Sequence, residues 1–222
     1  MSFETVLGAG AMINWLTVEN TDVPLFEDWY NFEHLPERVS TPGFRRARRF
    51  VASTPVSDTS TDFLTVYETD DVDVLSSGPY LAKLNAPTAL TRRVVPLFKE
   101  FRRSAARTAA VYGVGSTGRV LAAELGPDAD RAALHTTLPR LIAEHRLHVG
   151  SLYEPDAAVS AAKSATAEGR DTVSQQPAES ALLLLEPQTG VVAADLAADL
   201  STALRPFELV LELRSSCCCC CC

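Results

Sequence analysis

The sequence predicts an α+β fold made of two consecutive βαββαβ units. Short runs of alternating or continuous apolar side chains recur along the chain, as is typical of strands. Amphipathic segments between these runs are typical of helices. The order strand, helix, strand, strand, helix, strand occurs in residues 1–115 and again, in degraded form, in residues 116–215. Residues 216–222 form a separate tail.

The first unit is predicted to start with a strand at residues 11–19, whose alternation places Asn14 and Trp15 on opposite faces. Asp22 and Pro24 favour a helix start, so the first helix is expected from about Val23 to His34. Pro36 lacks a backbone N–H, which predicts a stop or kink just after His34. The remaining predicted elements are a strand at 44–52, a strand at 63–69, a helix at 78–94 that Pro87 can kink, and a strand near 104–112.

The second unit is predicted to repeat this order with little sequence similarity to the first. Its expected elements are a strand at 118–125, a helix at 130–145, strands at 146–154 and 181–187, a helix at 191–204 and a strand at 207–214. The stretch from about 158 to 179 is poor in large apolar side chains, so a mobile loop is expected there.

Composition and charge exclude several classes of partner. The formal charge of −8 makes a nucleic-acid-binding protein unexpected, because such proteins need a basic surface. Four arginines at positions 45, 46, 48 and 49 are a local exception, expected to form a solvated or salt-bridged surface. The sequence contains no apolar run of about 20 residues and no signal pattern, so the predictions are no membrane partner and a cytoplasmic location.

Metal and disulfide chemistry is not expected in the folded body. All six cysteines lie at positions 217–222, in a tail that we interpret as a disordered extension or a sequence artefact. His145 and His148 lack a third ligand, and on a strand they would point to opposite faces. The sequence therefore predicts no metal site.

An aromatic stripe on the first helix is the strongest functional feature. Phe26, Tyr30 and His34 follow at intervals of four and so share one helix face, with Trp29 beside them. Imidazole donates or accepts a proton near neutral pH, so a histidine at a cavity can act as a general acid or base. The alternative is that His34 is only a hydrogen-bonded packing residue.

The segment that contains this stripe, WYNFEHLPERVSTPGFRRARRF, resembles the EthD-like members of the dimeric α/β-barrel superfamily. These share the pattern W-Y-x-x-E-H-x-P-x-R followed by P-G-F and an arginine-rich strand. The resemblance implies ferredoxin-like units whose antiparallel sheets pair into a barrel, and two tandem units would close that barrel within one chain. Activities of the superfamily include cofactor-independent cyclases, isomerases, decarboxylating dehydratases and monooxygenases, besides haem enzymes.

The resemblance implies a small enzyme without a cofactor that acts on an apolar, aromatic or polyketide-like molecule. His34 and Tyr30 are the predicted catalytic residues, and the predicted substrate-binding residues are Phe26, Trp29, Arg38, Asn14 and Tyr67. The motif occurs only in the first half, so one pocket per chain is expected, in a monomer with an internal pseudo-dimer or a weak homodimer.

Two other functions remain open from the sequence. The barrel could bind a small molecule or a partner protein without catalysis. It could also bind haem, although the predicted second helix contains no histidine to serve as an axial ligand.

Overall fold

The computed structural model describes residues 5–55, 57–162, 166–168, 175–177 and 180–215. The strands are β1 (Gly10–Glu19), β2 (Phe44–Ala52), β3 (Ser60–Thr69), β4 (Phe98–Gly113), β5 (Arg119–Leu125), β6 (Leu147–Pro155), β7 (Gln175–Pro177), β8 (Ala181–Pro187) and β9 (Arg205–Arg214). The α-helices are α1 (Val23–Trp29), α2 (Leu35–Val39), α3 (Gly78–Leu84), α4 (Ala89–Val94), α5 (Arg131–Ala143), α6 (Ala157–Ala162) and α7 (Ala193–Leu200).

Eight strands close into an antiparallel barrel. Their hydrogen-bonded order is β1–β3–β2–β9–β5–β8–β6–β4, and β4 returns to pair with β1. The first half of the chain contributes the order β4–β1–β3–β2, and the second half contributes β9–β5–β8–β6. The halves join at two seams, β2 with β9 and β4 with β6. The prediction of an α/β barrel closed within one chain is therefore confirmed.

Buried side chains form three clusters, one inside the barrel and one outside each half of the barrel wall. Trp15, Phe50 and Tyr153 belong to the cluster inside the barrel. Outside, α1 to α4 cover the sheet of the first half, and α5 and α7 cover that of the second. Asn14 and Trp15 lie on opposite faces of β1 as predicted, so that Asn14 points toward the helices.

The first helix does not end after His34, which corrects the prediction from Pro36. After α1 the chain makes a π-helical turn over Tyr30–His34, and the N–H of Leu35 donates to the carbonyl of Tyr30, five residues earlier. α2 then continues to Val39 with Pro36 in its first turn. Pro36 has no N–H to donate, so the carbonyl one turn before it accepts no hydrogen bond from this position.

The turn between α2 and β2 occurs at Pro42-Gly43, as predicted. Gly43 has a φ of 89°, and a Cβ there would lie 2.6 Å from the side chain of Val74. Both the backbone conformation and the close contact therefore require glycine. Pro87, as predicted, interrupts the second helical region, which divides into α3 and α4.

Two predicted boundaries were wrong. β4 begins at Phe98, six residues before the predicted start at Ser104, because a bulge in its pairing with β1 leaves Lys99 and Glu100 exposed in succession and hides the alternation of a strand. The predicted loop at 158–179 contains most of α6 and all of β7, which pairs with β4 in parallel. The rest of that prediction falls partly on residues outside the described ranges, as does the prediction for the cysteine tail.

Of the four arginines of β2, only Arg45 lies on the protein surface. Arg46, Arg48 and Arg49 have at most 2% of their surface exposed. Arg46 and Arg48 pair with the buried Glu68 inside the barrel, whereas Arg49 lies under α1. Barrel closure buries both faces of β2, which explains the failure of the surface prediction. No helix in the described part of the chain is long and apolar enough to cross a membrane.

Candidate functional site

The predicted motif lines a pocket between the first helical region and the outer face of β1 and β4. The helices contribute aromatic and charged side chains, the strands contribute apolar and polar ones, and a single carboxylate comes from the segment 166–168 of the second half. The lining residues are Met12, Asn14, Leu16, Trp29, Tyr30, His34, Arg38, Tyr80, Val95, Phe98, Phe101, Arg103 and Glu168.

His34 lies between two aromatic rings at the end of the π-helical turn. Its ring centroid is 4.4 Å from that of Trp29 and 5.0 Å from that of Tyr30, and 6% of the residue is exposed. The wider turn brings Tyr30 and His34 together into the pocket. π-Helical turns often occur at functional sites, which agrees with the position of this one.

A chain of hydrogen bonds outside the pocket fixes Trp29. The indole Nε1–H donates to Thr91 Oγ1 on α4 over 3.1 Å, and the Thr91 hydroxyl donates to Glu33 Oε1 over 3.3 Å. Glu33 therefore faces α4, away from His34. Thr91 was missed by sequence reasoning, because its contact with Trp29 spans 62 residues.

Two predicted site residues lie behind the pocket. Tyr67 is completely buried on β3 and donates its hydroxyl hydrogen to the hydroxyl of Tyr30 over 3.1 Å. Burial and the neighbouring Tyr30 raise the pKa of Tyr67 well above its ordinary value. Phe26 packs against Phe63, with ring centroids 4.9 Å apart, and supports Tyr30 from below.

Arg38 lines the pocket but is already paired. Its Nη2 donates to Glu168 Oε2 over 2.5 Å, and its Nη1 donates to Glu37 over 3.3 Å. Burial lowers the pKa of Arg38, but Glu168, Tyr80, Glu37 and Tyr67 together more than offset this, so the pKa of the guanidinium is raised. Arg38, predicted to bind substrate, therefore neutralises Glu168 in this structure.

The strand side presents a second guanidinium that sequence reasoning missed. Arg103 on β4 is directly opposite Asn14 on β1, and both line the pocket. The Nε–H of Arg103 donates to Met12 Sδ over 3.2 Å, and its Nη2 donates to the hydroxyl of Tyr80 over 3.4 Å. Arg103 lay just outside the predicted fourth strand, so no sequence signal placed it beside Asn14.

The pocket is nearly full in this conformation. The pocket together with the solvent at its opening has a volume of about 360 Å³ that no atom fills. Only about 20 Å³ of this admits the centre of a water molecule. That inner space suffices for about one water. A ligand with an aromatic ring therefore enters only when lining side chains move outward.

The donors in the pocket are nitrogen and oxygen groups suited to an organic ligand. Among the described residues, no group of three His, Cys, Asp or Glu side chains is arranged to hold a metal ion. His34, Asn14 and the two arginines can instead exchange hydrogen bonds or a proton with an apolar molecule that carries oxygen atoms.

No family model and no curated protein sequence matches the chain. An anthrone oxidase-like protein of known structure is similar in fold, with a TM-score of 0.55 and 8% identity over 95% of this chain and 94% of that one. A protein provisionally named a monooxygenase from Lactobacillus acidophilus NCFM has a TM-score of 0.51 and 8% identity, over 94% and 97% of the chains. At this identity the likeness establishes a shared barrel fold.

Proposed function

We propose that the chain is a small enzyme of the monooxygenase type that acts, without a cofactor, on an apolar aromatic or polyketide-like molecule. One observation supports this proposal above the others. An imidazole packed between Trp29 and Tyr30 lines the same buried pocket as the amide of Asn14 and the guanidinium of Arg103. The aromatic walls suit a planar ring, and the polar groups suit its oxygen atoms.

In the proposed reaction His34 is the general base. It accepts a proton from an acidic ring C–H, and the electron pair left on the substrate reduces dioxygen as a C–O bond forms. The imidazolium then protonates the resulting peroxide. The O–O bond breaks as a second ring hydrogen leaves as a proton, giving a ketone and water. For anthrone the balance is one anthrone and one O₂ to one anthraquinone and one water.

The neighbouring residues have defined roles in this proposal. Trp29 and Tyr30 hold the ring beside the imidazole, and the hydrogen bond from Tyr67 orients the Tyr30 hydroxyl toward the pocket. Phe26 supports Tyr30 through ring packing. A positioned general base contributes about 10²- to 10⁴-fold to a rate, so His34 is the residue with the largest expected effect.

We also propose that the barrel consists of two tandem ferredoxin-like units, related to the EthD-like proteins. The strand orders β4–β1–β3–β2 and β9–β5–β8–β6 support this, because each places its unit's first and third strands at the centre. The W-Y-x-x-E-H-x-P-x-R motif, which contains His34, occurs in the first unit alone. The chain would then be an internal pseudo-dimer with one competent pocket.

A non-catalytic ligand-binding protein is the second candidate. The observation that favours it is the small free space of about 20 Å³ beside His34, since a pocket that rarely opens could retain a ligand without turning it over. This candidate shares the pocket and differs only in the absence of a chemical step.

Oxygen uptake with anthrone tests the proposal. The full chain, with its cysteines reduced, is mixed with anthrone at neutral pH, and O₂ consumption and anthraquinone formation are followed against heat-denatured protein, because anthrone oxidises slowly unaided. The expected result is catalysed uptake of one O₂ per anthraquinone. Binding without turnover would favour the second candidate, isomerisation without O₂ uptake would indicate another proton-transfer enzyme, and a Soret band in the purified protein would indicate haem.

A further inference from the structure

Asn14 and Arg103 form a facing pair at the floor of the pocket. They are Cα partners in the antiparallel pairing of β1 with β4, so their side chains leave the sheet on the same face. Both line the pocket below His34's helix, and their exposed fractions are 4% and 6%. The polar ends of two buried side chains are thereby held at one place by the barrel wall.

Arg103 lacks the partner that a buried cation normally has. Its hydrogen bonds go to the sulfur of Met12 and the hydroxyl of Tyr80, both neutral, and its guanidinium lies 5.9 Å from the Tyr80 ring centroid. Among the described residues, no carboxylate forms an ion pair with it, whereas Arg38 on the opposite wall is paired with Glu168. A guanidinium has five N–H donors, so Arg103 retains donors for an oxygen atom.

Asn14 presents the complementary group. Its Oδ1 is fully buried, and no donor among the described residues reaches it. Buried polar atoms are nearly always hydrogen-bonded, and an unsatisfied acceptor is costly. The pocket floor thus offers an unused acceptor directly beside a cation with unused donors.

We propose that Asn14 and Arg103 together bind an aromatic ketone that has a hydroxyl group adjacent to its carbonyl. Arg103 donates to the carbonyl oxygen, and Asn14 Oδ1 accepts the hydrogen of the hydroxyl. This inference rests on the proposed function and names its substrate class. It also gives Arg103 a part in the reaction, because negative charge develops on that carbonyl oxygen when His34 removes the ring proton.

The structural alternative is a trapped water. The inner space of about 20 Å³ could hold one water molecule that donates to Asn14 and accepts from Arg103. Under that alternative the pair only completes the packing of the sheet, and no ligand recognises it.

Calorimetric titration with a matched pair of probes distinguishes the two. The probes are 8-hydroxy-1-tetralone and 8-methoxy-1-tetralone, in which a methyl group replaces the hydrogen offered to Asn14. The full chain is expected to bind the hydroxy compound at least 10-fold more tightly, since a site built for a hydroxyl rejects an analogue that lacks it. Asn14→Leu should bind the two equally, and Arg103→Met should bind both at least 10-fold more weakly than the unaltered chain.

Two further variants control for altered packing. Arg103→Lys keeps a cation in the pocket and should retain most of the affinity. Arg102→Met, on the opposite face of the same strand, should bind both probes as the unaltered chain does. Equal binding of the probes by the unaltered chain, a preference that survives Asn14→Leu, or no binding at all would overturn the inference. A preference for the hydroxy probe in a protein that never consumes O₂ would instead overturn the proposed function alone.

Discussion

Tyr153 is a phenol enclosed by the barrel. It is fully buried on β6, and burial, together with the nearby carboxylate of Glu68, raises the pKa of Tyr153 to about 12. In the unfolded chain a tyrosine ionises near pH 10. The folded protein therefore holds this proton more tightly than the unfolded chain over about two pH units.

Alkaline unfolding should report this difference. A raised pKa in the folded state means that the contribution of Tyr153 to stability is complete below about pH 10 and is lost as the pH rises through about 12. Denaturant titrations at pH 9 and at pH 11 should show a smaller loss of unfolding free energy for Tyr153→Phe than for the unaltered chain. Identical losses in the two proteins would contradict the burial of an ionisable group at this position.

At the scale of the elements, β2 owes its structure to charges paired inside the barrel. The Nη2 of Arg46 donates to Glu68 Oε1 over 2.6 Å, and that of Arg48 reaches the same oxygen over 3.5 Å. Arg48 also donates to Glu186 on β8 over 2.6 Å. These ion pairs connect strands of the two halves of the chain across the barrel interior.

Removing the shared carboxylate should be strongly destabilising. Glu68→Gln leaves two buried guanidinium groups under-compensated, and breaking a buried pair in this way costs about 3–5 kcal/mol of unfolding free energy. The matched control is Asp70→Asn. Asp70 lies two residues after Glu68, just beyond the end of β3, and forms a half-exposed ion pair with Arg45, so its replacement should cost less than about 1 kcal/mol of unfolding free energy. Equal costs for the two variants, measured by chemical denaturation, would contradict the buried network.

The same elements separate what the sequence can predict from what it cannot. The alternation of β1 correctly placed Asn14 and Trp15 on opposite faces, and Pro42-Gly43 correctly placed the turn. The burial of Arg46 and Arg48 depends on the pairing of β2 with β9, more than 150 residues away in the chain, so local pattern could not reveal it. The π-helical turn has no sequence signature, since proline is equally compatible with a helix that stops and with one that starts again.

On its helix side the candidate site was predictable, whereas on its strand side Asn14 was predicted and Arg103 was not. Trp29, Tyr30, His34 and Arg38 belong to one contiguous motif, and all four line the pocket. Arg103 and Glu168 approach the motif only through long-range packing, so their contributions required the structure. Arg103, which binds the ligand in our proposal, is thus a residue that no local sequence pattern indicates.

At the scale of the whole molecule, one chain supplies both seams of the barrel. β2 pairs with β9 and β4 pairs with β6, so barrel closure uses no strand from another chain. A barrel of this kind has no free lateral edge at these strands, and edges are what usually recruit a second chain.

The chain should therefore fold without a partner. Light scattering on dilute protein with its cysteines reduced should give a folded monomer or a weak dimer, and the thermal midpoint should not depend on protein concentration. A dimer that unfolds on dilution would contradict closure of the barrel within one chain.

We propose that His34 transfers a proton in this pocket. The most direct measurement is the rate of anthrone oxidation by His34→Ala, taken together with its thermal midpoint. The matched control is His135→Ala, which removes an exposed histidine hydrogen-bonded to Tyr112 in the second half. Proton transfer predicts that His34→Ala loses about 100-fold or more in kcat/KM and keeps a folded structure, with His135→Ala unaffected. A His34→Ala protein that is destabilised by about 1–3 kcal/mol and oxidises anthrone at the unaltered rate would show that His34 only packs the helix, and would contradict the claim.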